Sequence, residues 1–174
     1  MNELDRLVAA REIEDLISRY CIAFDDQDWE TFAGLWTEDA AFVVGDTAFE
    51  GRTAVLEFLS TCLPSGYVSK HMISRPLVEL ESEAQASART DVVWIAANFE
   101  NTIVARYVDT VVKEDGRWLF RRREEEPMPY RDEPPPMSDA AKAVSSPTMR
   151  TSPSANDGKT PRVRTPPTAA DAAQ

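Results

Sequence analysis

The first 126 residues alternate between apolar and polar positions in two rhythms, one typical of helices and the other of strands. Apolar residues three or four positions apart in the segment 13–24 predict one face of a first helix, over about Glu3–Phe24. The same spacing predicts two shorter helices, over Trp29–Trp36 and Thr53–Leu63. Between these two, a pair of short strands is predicted at Ala40–Val44 and Thr47–Glu50.

Four longer strands are predicted after the third helix, at 67–81, 84–98, 102–113 and 117–125. Only short turns separate them, so we expect neighbours in sequence to pair as an antiparallel meander. Pro76 lacks a backbone N–H, which predicts an edge position or a bend for the first of these strands. Together the elements predict an α+β fold, with N-terminal helices packed on a strongly curved antiparallel sheet that forms a cone-shaped pocket.

The strand predicted at 84–98 has two chemically different faces. Arg89, Asp91 and Val93 are expected to lie on the outer surface of the sheet, because successive side chains of a strand point to opposite faces. The other face should form a wall of the pocket and carries Ala88, Thr90, Val92, Trp94 and Ala96.

Composition changes after about residue 130, where Pro, Ser, Thr and Ala replace the large aliphatic residues. We therefore interpret residues 1–130 as one α+β domain. Residues 131–174 are interpreted as a disordered tail, since they cannot bury enough apolar surface to fold.

The chain carries a formal net charge of −11 and lacks the stripe of Lys and Arg that nucleic-acid binding requires. Its one basic run, Arg121–Arg123, is followed directly by Glu124–Glu126, and we interpret it as a solvated strand end. No long apolar segment or signal-peptide pattern predicts membrane insertion, and a cytoplasmic location is expected. Cys21 and Cys62 are expected to be buried free thiols, in keeping with a reducing compartment.

Four stretches of the chain carry a family resemblance through their order and spacing. They read REIEDLISRYCIAFDDQDWETFAGLWTEDAAF, GRTAVLEFL, SKHMISRPLVEL and RYVDTVVKEDGRWLFRRRE. In this succession, residues 1–126 resemble the SnoaL-like, nuclear-transport-factor-2-like superfamily, whose fold is also called cystatin-like. Within it, the chain looks nearest to the scytalone dehydratase, bile-acid dehydratase and hexachlorocyclohexane dehydrochlorinase group. The resemblance implies a cofactor-free lyase that acts on a small hydrophobic substrate and assembles as a homodimer or homotrimer.

The same resemblance implies three catalytic residues. Members of the group carry an Asp at the end of the first helix and a His on the first long strand, which Asp25 and His71 match. Tyr20 matches a tyrosine of the bile-acid dehydratase, where the dehydrochlorinase has a lysine. An imidazole with a pKa of about 6.5 can accept a proton near neutral pH, and an adjacent carboxylate can orient it. We therefore expect an Asp25–His71 dyad, with the Tyr20 hydroxyl as a hydrogen-bond donor.

Two departures from the group restrict what carries over to this chain. His71 is the only histidine, which excludes a pair of histidines that activate water together. The late-strand arginine of the dehydrochlorinase is matched only weakly, by Arg122. The rest of the pocket lining is expected from four aromatic residues, Phe24, Trp36, Trp94 and Tyr107.

Structural roles remain open for all three catalytic candidates. His71 could be a strand histidine bonded to a backbone carbonyl, Asp25 a turn carboxylate, and Tyr20 a core aromatic residue. Neither a metal nor a cofactor is expected. A lone histidine does not form a ligand cluster, and the six glycines form no phosphate-binding loop.

Three classes of function are consistent with these observations. The first is a lyase of the dehydratase or dehydrohalogenase type, which uses the dyad to take a proton from a cyclic substrate. The second is a non-catalytic ligand-binding or assembly protein, similar to the small subunit of an oxygenase. The third is an isomerase or polyketide cyclase that uses the same pocket.

Overall fold

A computed structural model of the protein describes residues 1–96 and 102–128. The predicted tail at 131–174 and the turn predicted at 98–101 lie outside the described residues. Within the described ranges the helices are α1 (Glu3–Asp25), α2 (Trp29–Ala33) and α3 (Arg52–Thr61). The strands there are β1 (Trp36–Val44), β2 (Thr47–Glu50), β3 (Ser69–Ile73), β4 (Leu77–Leu80), β5 (Gln85–Ala96), β6 (Thr102–Glu114) and β7 (Arg117–Pro127). No helix in those ranges has the length and apolar character needed to span a membrane.

Helix α1 begins and ends where its local chemistry predicts. At its start the Asn2 side chain accepts a hydrogen bond from the Asp5 N–H at 2.8 Å, and the Asp5 carboxylate accepts one from the Asn2 N–H at 3.0 Å. This reciprocal capping box satisfies two backbone donors that the helix leaves free. The helix ends at Asp25, two residues before Gln27 takes the left-handed φ of 55°.

The second helix is shorter than its periodicity predicts, because it ends at Ala33 instead of Trp36. Asp28 caps its start by accepting a hydrogen bond from the Thr31 N–H at 3.0 Å, as the sequence suggests. After the helix, the Leu35 carbonyl accepts a hydrogen bond from the Phe120 N–H of β7 at 2.8 Å. This sheet bond draws the following residues into β1, so Trp36 begins a strand and the strand predicted at Ala40–Val44 is longer than expected.

The strands form one mixed sheet in the order β2-β1-β7-β6-β5-β3, and β4 also pairs with β5. The predicted antiparallel meander is present, but β1 and β7 pair in parallel. Strand β1 precedes the meander, and its long return connection allows the parallel direction. Pro76 separates β3 from β4, both of which pair with β5, so the strand predicted at 67–81 is bent at this proline.

The helices and the curved sheet enclose the core, which confirms the α+β class. Helix α1 contacts β3, β4 and β7, whereas α3 contacts β1 and β2. Irregular registers interrupt the β1–β7 and β6–β7 pairs, and such bulges increase the bend of a sheet. On β5, Ala88, Thr90 and Val92 are buried while Arg89 and Asp91 are exposed, as the alternation predicts.

Candidate active site

Asp25 and His71 are in direct contact, one at the last residue of α1 and the other in the middle of β3. The Asp25 Oδ1 atom lies 2.8 Å from His71 Nδ1, and both side chains are only 4% exposed. Asp25 Oδ2 accepts a hydrogen bond from the His71 backbone N–H at 2.8 Å, and Oδ1 accepts one from the Ser69 hydroxyl at 3.1 Å. These donors hold the carboxylate in one orientation against the ring.

Gln27 ties the end of α1 to the segment that leads into β3. Its amide nitrogen donates to the carbonyls of Pro64 at 3.0 Å and Tyr67 at 3.2 Å. Its amide oxygen accepts a hydrogen bond from the Gly66 N–H at 3.0 Å. Because Gln27 and Asp25 are two residues apart, this bridge fixes the helix end against the strand that carries His71. No pattern in the sequence indicates this role of Gln27.

A cavity of about 270 Å³ lies between the helices and the sheet, and His71 lines it. Four further candidates also line it, namely Tyr20, Phe24, Trp94 and Tyr107. The remaining lining residues are Phe42, Val44, Phe58, Leu59, Cys62, Leu63, Val92, Ile103, Ala105 and Glu125. The walls are therefore mainly aromatic and aliphatic, with few polar groups, which is typical of small-molecule sites.

Trp36 takes a different position from the one predicted for a lining residue. It is 1% exposed and packs against Tyr20, with ring centroids 6.0 Å apart, and against Phe120, at 5.1 Å. Because it begins β1 instead of ending α2, its side chain belongs to the aromatic core.

The Tyr20 ring sits between the dyad and a buried arginine. Its centroid lies 6.1 Å from that of His71, with the two rings nearly perpendicular. On another side, the Arg123 guanidinium carbon lies 4.0 Å from the centroid of Tyr20 and 4.1 Å from that of Tyr107. Burial raises the pKa values of both tyrosines, so both hydroxyls stay protonated at neutral pH and can donate hydrogen bonds.

The interpretation of Arg121–Arg123 as a solvated strand end is wrong for its last residue. Arg123 is 0% exposed, and its guanidinium donates to both carboxylate oxygens of Asp109, at 2.7 and 2.8 Å. Burial alone would lower the pKa of Arg123, but the Asp109 carboxylate, together with Tyr20 and Tyr107, raises it by more, so the guanidinium remains charged. On β6, Asp109 lies on the same face as Ala105, Tyr107 and Val111, which are all buried. An aspartate on a buried, apolar face requires a cationic partner. The position of Asp109 is therefore the one feature of the sequence that indicates a buried Arg or Lys opposite it.

Glu125 lines the cavity as well, and the sequence did not indicate it as a site residue. It is half-buried on β7, and burial raises its pKa, an effect that His71 and Arg123 oppose.

The two cysteines are free, as expected, but only Cys21 is buried, because Cys62 lies at the C-terminal end of α3 and is exposed. Across residues 1–96 and 102–128, no cluster of three or more His, Cys, Asp or Glu residues could hold a metal ion.

Comparison with known proteins gives a family match over most of the chain. A family described as SnoaL-like domain matches residues 5–124. The chain is 27% identical over 129 residues to the gamma-hexachlorocyclohexane dehydrochlorinase of Sphingobium indicum, which covers 71% of this chain and 83% of that enzyme.

Solved structures share the fold. A candidate scytalone dehydratase of Novosphingobium aromaticivorans aligns with a TM-score of 0.66 and 27% identity, covering 77% of this chain and 93% of that one. The beta subunit of a candidate aromatic-ring-hydroxylating dioxygenase from the same organism aligns with a TM-score of 0.61 and 18% identity, covering 72% and 93%. The second likeness is one of fold alone.

Proposed function

The chain belongs to the SnoaL-like domain family, and from this premise we propose that it is a cofactor-independent lyase of the dehydratase or dehydrohalogenase type. The observation that carries the proposal is the 2.8 Å contact between Asp25 Oδ1 and His71 Nδ1 beside an apolar cavity. The similarity to a dehydrochlorinase and to a candidate dehydratase supports the same class of reaction.

In the proposed reaction, His71 is the base that removes a proton from a carbon atom of the substrate. Asp25 accepts a hydrogen bond from Nδ1–H, so the neutral ring keeps its unprotonated nitrogen at Nε2. When Nε2 takes the proton, the imidazolium is stabilised by the adjacent carboxylate. Positioned proton transfer of this kind contributes roughly 10²- to 10⁴-fold to a rate. The Tyr20 hydroxyl acts as a hydrogen-bond donor to the departing group or to a substrate carbonyl.

The cavity supports a small, hydrophobic and cyclic substrate. Its volume of about 270 Å³ is slightly below the range of roughly 300–1,000 Å³ found for pockets that hold drug-sized ligands. Phe24, Trp94 and Tyr107 offer flat apolar surfaces against which a ring can pack. We further propose a homodimeric or homotrimeric protein that works in the cytoplasm.

The proposal can be tested with two probe compounds. Purified protein is incubated with gamma-hexachlorocyclohexane, with chloride release as the readout, and with 3-hydroxycyclohexanone, with loss of water followed by product mass. We expect wild type to convert at least one probe and His71→Ala to lose this activity by 10³-fold or more, on the order of a lost catalytic base. Lys70→Ala, at the exposed neighbouring position of β3, is the matched control and should keep full activity.

Other outcomes favour the alternative functions. A product of unchanged mass would indicate an isomerase, in which the same base returns the proton to another carbon. Conversion that survives in His71→Ala would rule out the dyad mechanism. Binding of a probe by both proteins without conversion would instead favour a ligand-binding or assembly protein, the role suggested by the shared fold with a dioxygenase beta subunit.

A further inference from the structure

We propose that Glu125 is a second catalytic residue of the cavity, a general acid that gives its proton to the leaving group. A halide leaves as a stable anion, but a hydroxyl group leaves readily only as water and needs a proton donor. The inference therefore deepens the proposed function, on which it rests: it selects a hydroxylated substrate, hence a dehydratase, over a halogenated one.

The position of Glu125 in the sheet directs it into the cavity. It pairs with Val44 of β1 on one side and with Tyr107 of β6 on the other, and both neighbours also line the cavity. Its own strand, β7, is separated from β3 by β6 and β5. Three strand spacings amount to about 14 Å along the sheet. Since the curved sheet brings both residues to one cavity, a substrate can lie with His71 on one side and Glu125 on the other.

Glu125 differs from its neighbour Glu124, although both are half-buried. Glu124 accepts a hydrogen bond from Arg122 Nε at 2.6 Å in a salt bridge between side chains that are 39% and 44% exposed. Within the described part of the chain, Glu125 has no salt bridge or side-chain hydrogen bond. Burial of a carboxyl group in that situation favours the protonated form over the charged one, because the charged form loses water without gaining a partner.

The groups that face Glu125 set its protonation state. From β3 the imidazole of His71 favours the charged carboxylate, and from β7 Arg123 does the same, although the Arg123 charge is already paired with Asp109. Tyr20 of α1, Tyr107 of β6 and Cys62 at the end of α3 are neutral groups at pH 7. The net direction is a raised pKa for Glu125, caused first by burial.

The proposed step is balanced in atoms and electrons. His71 Nε2 takes the proton from carbon, the C–H electron pair forms the new double bond, and the C–O bond breaks. The oxygen leaves with the electrons of that bond and takes the Glu125 proton, so that water is released. The enzyme is left with an imidazolium and a carboxylate, and transfer of one proton from His71 to Glu125, through solvent, restores it. No oxidant, reductant or cofactor is involved.

A pair of substrates that differ only in the leaving group tests this role. Wild type and Glu125→Gln are compared on 3-hydroxycyclohexanone and on 3-chlorocyclohexanone, after subtraction of the rate in buffer. Glutamine keeps the shape of the side chain but cannot give up a proton. We expect the loss of water to fall by about 10²-fold or more, and the loss of chloride to change by less than about threefold. Glu124→Gln is the matched control and should leave both rates unchanged.

The outcomes separate this inference from the proposed function. Equal effects of Glu125→Gln on both substrates, or no effect on either, would overturn the role of Glu125 while leaving the dyad in place. Equal activity of wild type and His71→Ala would instead reject the dyad.

A second experiment on Glu125 needs no turnover. An infrared difference spectrum of wild type minus Glu125→Gln at pH 7 should contain the C=O band of a protonated carboxyl group, with Glu124→Gln as the reference variant. If only carboxylate bands differ, Glu125 has no proton to donate and the inference is wrong, whatever the substrate.

Discussion

Two aspartates of this protein, Asp25 and Asp109, are almost completely buried, and each is paired with a nitrogen base. Asp25 binds the imidazole of His71 at 2.8 Å, and Asp109 binds the guanidinium of Arg123 at 2.7 and 2.8 Å. The difference lies in the partner. An imidazole exchanges its proton near neutral pH, whereas a guanidinium is always charged. Similar burial thus holds a pair that can exchange a proton in one place and a fixed ion pair in the other.

Access to the cavity adds to this difference. His71 lines the cavity, so the proton it gains or loses can come from a ligand. Arg123 is covered by three aromatic rings, with its guanidinium carbon 4.0 Å from Tyr20, 4.1 Å from Tyr107 and 4.3 Å from Phe120. Two of these rings also line the cavity. We infer that the Asp109–Arg123 pair positions the tyrosines, while the Asp25–His71 pair carries out the proton transfer.

The comparison is most strongly tested by Asp25→Asn. The His71 backbone N–H can only donate, so it retains the amide oxygen, and the amide nitrogen must then face the imidazole. That nitrogen donates to Nδ1, so the ring proton moves to Nε2. Nε2 is the nitrogen that must be unprotonated to act as the base. We expect turnover of the better probe compound to fall by roughly 10³- to 10⁴-fold.

His71 is the only histidine, so its tautomer can also be observed directly. In ¹⁵N NMR spectra, wild type should show a protonated Nδ1 and a free Nε2, and Asp25→Asn the reverse. Wild type with the proton on Nε2 would contradict the assignment of His71 as a base that Asp25 orients.

Asp109→Ala should have the largest effect on stability. It leaves a permanently charged Arg123 in the core without its partner, and breaking a buried pair in this way costs about 3–5 kcal/mol of unfolding free energy. The loss should appear in urea unfolding as a lower midpoint with an unchanged slope. The exposed Arg106–Asp91 pair provides the matched contrast, since Arg106→Ala should cost less than about 1 kcal/mol.

A double replacement separates charge from packing at this position. Asp109→Leu with Arg123→Met removes both charges and retains apolar volume, and should recover most of the stability lost in Asp109→Ala. If the double variant is no more stable than the single one, the lost free energy comes from packing, and the contrast between the two pairs disappears.

The sequence predicts elements and faces well where the pattern is local. The stripe of α1 and the alternation of β5 are visible in the order of residues alone, because each depends on a single helix or strand. The end of α2 and the parallel pairing of β1 are not. They depend on the Leu35–Phe120 hydrogen bond and on the pairing of β1 with β7. These partners are more than 80 residues apart in the chain and meet only in the folded protein.

The residues of the candidate site also fall into two groups, those that the sequence indicates and those that it does not. Asp25, His71 and Tyr20 could be selected because they match positions of a known group of enzymes. Arg123 could not be selected from its own strand, since three consecutive arginines look solvated. Thr110 pairs with Arg122 and Val111 with Phe120, and this irregular register interrupts the alternation on β7 from which burial would be inferred. Glu125 was hidden for the same reason, within a run of three glutamates. Long-range pairing, not local pattern, determines which member of each run faces inward.

The smallest expected effect concerns Ser69, the one side chain other than His71 whose hydrogen bond to Asp25 is seen in the described residues. Both oxygens of Asp109 are held by a single guanidinium, whereas Asp25 shares its oxygens among a hydroxyl, a backbone N–H and the ring. Ser69→Ala therefore removes one of three donors and should cost about 1 kcal/mol of stability. Turnover should fall by about tenfold with KM unchanged, because Ser69 bonds to the carboxylate and is not among the residues that line the cavity.

Ser87→Ala, at a half-buried position of β5, is the control for Ser69→Ala. A rise in KM with normal turnover would mean that Ser69 contributes to binding, and Asp25 would then be oriented by the backbone N–H and the ring of His71 alone.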